Sequence, residues 1–336
     1  MISFQFGSLT VYAYGLTLAL GTILALLLMA HLPRGKQLRP GALSWFALTG
    51  IPLALLSARL LYVLVSITWF IDQGESYFAF THGGYMLYGA MAGLALAAFI
   101  SGRITREKPA RFLDAAAAPF AFFLFTARSA EYFAGVGLGE DIEAWFDPFM
   151  ERTYFPTEDP SFFLRFPFGV KDPYGYWCFP VFLLEAAAAL ILFVILLRAA
   201  GQRDGTLALK FLALYAGLQT FLESLRVDLE LRWGFVKINQ LMVLPALAVI
   251  IVCCILRTPK ENRRASLFLP YIIGALLGCG VVMAMEFALE EKIGFLTWMR
   301  SDLCWLMMGL GALLIALSAY RLICRTDTEA SVSGSL

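Results

Sequence analysis

Four side chains on one stretch of this sequence have the types and spacing to act together. Phe211–Arg226 reads FLALYAGLQTFLESLR and is apolar except for Tyr215, Gln219, Glu223 and Arg226. Their steps of four, four and three keep them on one helical face. A second stretch, Phe112–Val136, carries Asp114, Arg128 and Glu131, the last two at i,i+3. Ionisable side chains in a membrane helix are costly and face a bundle interior or a wet cavity. An arginine fork suits bidentate phosphate recognition, so Arg128 at such a depth fits the head group of an anionic lipid.

Other polar groups fall at the same depth when each is placed at about 1.5 Å per residue along its run. Glu223 and Arg226 lie near the outer end of one span, and Arg128 and Glu131 in the outer half of another. Glu185, Arg59 and Tyr14 belong to three further spans. Tyr88 lies in Gly83-Gly84-Tyr-Met-Leu-Tyr88-Gly89, where a glycine-rich helix start lets backbone N–H groups approach an anion. Charge counting leaves two readings open. Arg59, Arg128 and Arg226 balance Glu131, Glu185 and Glu223, as buried charges must be paired. Such networks occur with and without function. His82 reads as an interfacial loop residue and His31 belongs to the opposite edge, so no metal site is expected.

The elements that must position these groups follow from composition. The chain is 60% hydrophobic and only 15% charged, against about a quarter charged in soluble domains. Its mean hydropathy is +0.74. The expected fold is an all-α polytopic membrane protein. Nine spans are expected, at 9–32, 42–71, 84–102, 112–136, 179–200, 206–227, 235–257, 267–289 and 302–324. Basic loops follow spans one, three, five, seven and nine, and acidic loops follow the others. The positive-inside rule then puts the N-terminus outside and the C-terminus in the cytoplasm. Basic residues are scattered over short loops, so no nucleic-acid partner is expected.

The longest loop, 137–178, is external and rich in aromatics and prolines. It reads either as a membrane-hugging loop or as a small cap over an opening. Gly89–Gly93 and Gly274–Gly278 fit the small-xxx-small pattern of close helix contacts. The six cysteines form no CxxC pair and read mostly as small hydrophobes. The tail 326–336 reads as disordered.

On these residues the sequence resembles the prolipoprotein diacylglyceryl transferases of bacteria. Val11-Tyr-Ala-Tyr14-Gly15-Leu16 is similar to the family's Trp-Tyr-Gly-Leu segment, and Ser57-Ala-Arg59-Leu-Leu-Tyr62 to its Gly-Gly-Arg-x-x-Tyr. Gly83–Ala90 resembles Gly-Gly-x-x-x-His-Gly-Gly, and Ala127-Arg128-Ser-Ala-Glu131 falls on the Gly-Arg-x-Gly-Asn signature. Phe179–Glu185 resembles His-Pro-Ser-Gln-Leu-Tyr-Glu. Tyr215, Gln219, Glu223 and Arg226 keep the spacing Tyr-x-x-x-Arg-x-x-x-Glu-x-x-Arg, and Asn239-Gln240 follows like the family's Gly-Gln. Residues 1–257 would then be a seven-helix core and 258–325 two added helices.

The resemblance implies transfer of a diacylglyceryl group from phosphatidylglycerol to a lipobox cysteine of prolipoproteins, without cofactor, at the outer face of the bacterial inner membrane. It implies Arg128, Glu223, Tyr88 and Gln219 as catalytic residues. Tyr14, Arg59, Glu131, Glu185, Tyr215, Arg226 and Gln240 would bind substrate. The sequence departs from the family where it has Tyr88 for histidine, Gln219 for arginine and Glu131 for asparagine. The last two changes leave the site two charge units less cationic. A non-catalytic relative that binds lipid or peptide is the alternative, and a structural bundle or transporter a third reading.

Overall fold

A computed structural model of the chain describes residues 3–6, 9–80, 83–142, 166–172, 174–199, 203–227, 231–233, 236–290, 292, 294 and 299–332. A hairpin of β1 (Ser3–Phe6) and β2 (Leu9–Tyr12) opens it, with Ser3 opposite Tyr12. Among the described residues nine long helices follow: α1 (Ala13–His31), α2 (Ala42–Val65), α3 (Leu87–Thr105), α4 (Pro109–Ala134), α5 (Val181–Arg198), α6 (Thr206–Ser224), α7 (Val243–Arg257), α8 (Ala265–Leu289) and α9 (Ser301–Val332). Two-residue strands β3 (Val170–Lys171) and β4 (Trp177–Cys178) pair before α5, and β5 (Arg232–Trp233) and β6 (Val236–Lys237) before α7.

Among the described residues, eight stretches are long and apolar enough to cross a membrane: α1–α5, α8, α9, and α7 together with the helical turn before it. The exception, α6, carries Lys210, Gln219 and Glu223, all buried. It packs on α4, α5, α7 and α9, so the polar helix occupies the middle and the apolar helices wall it off. This arrangement follows from cost: polar side chains satisfied by protein are cheaper than the same groups facing lipid.

Small residues set the close crossings. A Cβ on Gly93 of α3 would run into the Leu53 carbonyl of α2, and one on Gly89 would lie 2.5 Å from the Ser57 carbonyl. Gly278 of α8 meets the Gly311 carbonyl of α9, and Gly217 of α6 meets the Ala312 carbonyl. Backbones approach this closely only where side chains are absent, which is how small-xxx-small pairs hold helices in lipid. Ala186 and Ala189 of α5 are buried, as are Ala117, Ala118 and Ala121 of the adjoining α4.

Four details differ from the sequence expectation. Residues 9–12 extend the hairpin, so α1 begins at Ala13 and Tyr14 lies in its first turn. The second span breaks at Ser66 and resumes as Ile67–Gln73. The seventh begins as a single turn, Ile238–Leu241, that kinks at Met242 into α7. The last helix continues to Val332, so the expected disordered tail is helical to that point. Most of the expected external cap lies outside the described residues, as does His82. The base of that loop is closed by Gly139 and Phe179, whose N–H groups donate to the Phe179 and Glu140 carbonyls at 2.8 and 3.0 Å.

Candidate functional site

The site forms where α4 and α6 finish and α5 begins. α4 delivers Arg128 and Glu131, one turn apart and therefore on one face. Arg128 Nη1 donates to Glu131 Oε1 at 2.6 Å and lies 3.4 Å from Glu185 Oε2 of α5. Arg226, just past the end of α6, places Nη1 3.1 Å from Glu185 Oε2 and 3.3 Å from Glu131 Oε2. Two arginines and two glutamates thus alternate in a closed ring. Its members are largely buried, with Glu185 at 2% side-chain exposure and Arg128 the most open at 17%.

Glu223, the last residue but one of α6, is held differently. Gln219 Nε2 donates to Glu223 Oε2 at 2.6 Å and to Glu185 Oε1 at 3.1 Å, joining it to the ring. Asn239 Nδ2 donates to Glu223 Oε1 at 2.8 Å. Lys237 Nζ donates to the backbone carbonyls of Glu223 and Arg226, both at 2.6 Å. A cation on the last carbonyls of a helix satisfies orphan acceptors and opposes the negative end of the dipole.

Three tyrosines flank the cluster. Tyr14 feels the charges of Glu131, Arg128 and Arg226. Tyr215 stacks on Phe211, with ring centroids 5.7 Å apart, and meets Tyr88 at 5.9 Å. The Tyr88 hydroxyl is buried without a hydrogen-bond partner among the described residues, in the field of Glu223. An unsatisfied buried hydroxyl is costly. Gly137 lies directly over the ring: a Cβ there would strike Glu131 Oε2.

Two sequence expectations need correction. Arg59 is buried but does not face the glutamates. It donates to the carbonyls of Tyr77 at 3.1 Å, Gly83 at 2.5 Å and Gly84 at 3.3 Å, with its guanidinium over the Phe70 and Tyr62 rings. Gly83 and Gly84 have left-handed backbones, and a Cβ on Gly84 would hit Arg59 and Tyr62. The glycine-rich segment thus turns the Gly83 and Gly84 carbonyls onto a cation. Asp114 sits at the other end of α4. It accepts from Gly205 N at 2.6 Å, Ala208 N at 2.9 Å and Arg34 at 3.2 Å, capping α6 from outside. Gln240 lies one layer out, 3.3 Å from the Thr220 carbonyl and hydrogen-bonded to Glu286. Lys237 and Glu286 escaped the sequence reading, although Glu286 in its apolar run met the same rule that marked Glu223.

An all-helical bundle around an occluded ring of charges defines a multi-pass membrane protein with a buried polar site. The family model for prolipoprotein diacylglyceryl transferase matches residues 1–256. The chain belongs to that family. It is 25% identical over 265 residues to the phosphatidylglycerol–prolipoprotein diacylglyceryl transferase of Listeria innocua, covering 78% of this chain and 91% of the relative. A similarly named protein of Clostridium perfringens is 25% identical over 282 residues, 80% of this chain and 98% of the relative. One from a Nostoc species is 27% identical over 258 residues, with 73% and 84% covered. Helices α8 and α9 lie beyond the family match.

Proposed function

We propose that this chain is a diacylglyceryl transferase that moves the diacylglyceryl group of phosphatidylglycerol to the thiol of a lipobox cysteine. The supporting observation is the paired guanidinium groups of Arg128 and Arg226, brought together by helices of the matched region. In this reading Arg128 and Arg226 take the lipid phosphate as Glu131 gives way. Sulfur attacks the glycerol carbon, the C–S bond forms, and the C–O bond to phosphate breaks. Glycerol phosphate leaves with the electron pair. The thiol must lose its proton, because the thiolate is the nucleophile; Glu223, held by two neutral amide donors, is the acceptor in reach of the same space. The Tyr88 hydroxyl donates to a lipid oxygen from the position of the family histidine. The protein sits in the bacterial cytoplasmic membrane with its N-terminus and site on the outer side, in keeping with basic loops on alternate connections.

The test is transfer of labelled diacylglycerol from phosphatidylglycerol to a lipobox peptide by purified protein, beside Arg128→Ala. Transfer by wild type that is lost in the folded variant supports the reading. No transfer by folded wild type, with other anionic phospholipids also supplied, overturns it. Peptide added outside right-side-out vesicles should be modified; modification only of enclosed peptide would invert the proposed topology.

A further inference from the structure

The helix pair beyond the family match reaches into the core through one carboxylate. Glu286 of α8 is 5% exposed. Its Oε1 accepts from Gln240 Nε2 at 2.5 Å. Gln240 belongs to the turn Ile238–Leu241, and so does Asn239, the donor to Glu223. Lys237, which seals the end of α6, directly precedes that turn. One short segment is thus gripped by α8 on one side and holds the Glu223 carboxylate on the other.

We propose that Glu286 is a positioning residue for the site: by fixing the turn through Gln240, it fixes Asn239 and so the Glu223 carboxylate. The proposal rests on the function assigned above to Glu223. A single helical turn has little stability of its own. This one joins α7 through Met242, whose N–H donates to the Ile238 carbonyl at 3.0 Å, so α7 anchors its end and side-chain ties set how the Asn239 and Gln240 amides lie. On the α8 side the tie is a charge-assisted bond, the stronger kind. Without Glu286, the Gln240 amide keeps only the longer contact to the Thr220 carbonyl, at 3.3 Å. The other charges around Glu286 are Lys237, Arg232 and Glu290, and Arg232 is itself paired with Glu290 at 2.9 Å. The added helices thereby complete the layer behind the site.

The experiment compares transfer by Glu286→Ala, Glu286→Gln, Gln240→Ala, Asn239→Ala and the double variant Glu286→Ala/Asn239→Ala, each with its melting temperature. Glu286→Ala and Gln240→Ala should each lower kcat by about tenfold or more, the scale of a small misplacement of a reacting group, with KM for the lipid little changed. Glu286→Gln, whose amide oxygen still accepts from Gln240, should recover most of the loss. The double variant should lose no more than Asn239→Ala alone, because the two residues act in series. Additive losses, or losses that track only the fraction of folded protein, overturn the proposal. If wild type transfers nothing, the functional reading falls. The link is then read in the melting temperatures of the same variants: non-additive losses for Glu286→Ala and Asn239→Ala uphold it, and additive losses overturn it.

Discussion

Replacing Glu131 by asparagine should make the protein hold anionic lipid more tightly. Glu131 now occupies Arg128 at 2.6 Å and Arg226 at 3.3 Å, the two groups a phosphate would seek. A phosphodiester on those forks would lie roughly 6 Å from the Glu131 charge, two hydrogen-bond lengths away. At an effective dielectric constant of about 20, like unit charges at that distance repel by about 3 kcal/mol. That corresponds to about a hundredfold in affinity. The Glu131 side chain is only 9% exposed, so solvent screening trims the figure little. Movement of the carboxylate away from an arriving lipid trims it more, and about tenfold is a fair floor. The fold should survive, because Glu185 still contacts Arg128 at 3.4 Å and Arg226 at 3.1 Å. The assay is titration of phosphatidylglycerol into protein held in zwitterionic nanodiscs, for wild type, Glu131→Asn and Glu131→Gln. Both variants should bind more tightly, since both remove the charge and only one changes the length. Unchanged affinity in both, with binding still lost in Arg128→Ala, would refute the argument that Glu131 competes with the lipid.

Two further outcomes concern the other end of the bundle. Asp114→Ala removes the acceptor for Gly205 N, Ala208 N and Arg34. It should cost about 3 kcal/mol, near 1 per hydrogen bond, and lower Tm by several degrees without altering lipid affinity per folded molecule; an unchanged Tm contradicts this. Asp204 is partly buried, which would raise its pKa, but the hydrogen bond from Lys108 and the charge of Arg111 outweigh that and hold its carboxyl below the usual range. A lowered folded value means the contribution is full above the unfolded pKa of about 3.9 and is lost as pH falls through the folded one. The Asp204 side chain is 34% exposed, so the contribution should be under about 1 kcal/mol. The Tm gap between wild type and Asp204→Asn should stay constant over about pH 5–8 and close below about pH 4; a gap that widens in acid would be the wrong sign.

What the sequence disclosed was whatever lies on one element. The line Tyr215, Gln219, Glu223, Arg226 and the pair Arg128, Glu131 are repeats at helical spacing, and the structure keeps them on one side of α6 and α4. Helix limits followed from apolar runs ended by charges, except where a break needed tertiary context, as at Ser66 and Met242. What stayed hidden was which faces meet. Arg59 shares the depth of the ring, yet its azimuth on α2 points it at a loop, and depth alone carries no azimuth. The tie from Gln240 to Glu286 spans 46 residues, and no local pattern reports such a pairing. Lys237 stayed hidden because it meets the backbone carbonyls of Glu223 and Arg226, which have no sequence signature.

The two charge-changing departures from the family pattern make sense as a pair once the ring is seen. With glutamine at 219, Glu185 meets a neutral amide donor there and pairs with Arg128 and Arg226. With glutamate at 131, those arginines gain a second carboxylate, and the ring closes on itself. Arg128 and Arg226 then face Glu131 and Glu185, so the formal charges of the four groups of the ring sum to zero. A buried site must be near neutral to be stable, and here protein alone meets that demand, whereas the family pattern leaves cationic charge for a phosphodiester to meet. An arriving phosphodiester brings one negative charge too many. In the proposed reading a carboxylate of the ring would swing off its arginine or take up a proton as the lipid enters, and Glu131, at 9% side-chain exposure against 2% for Glu185, is the more open of the two. In the same reading Glu131 would act as a latch on the two arginines, and its release would be the step at which lipid affinity and catalytic readiness are set together.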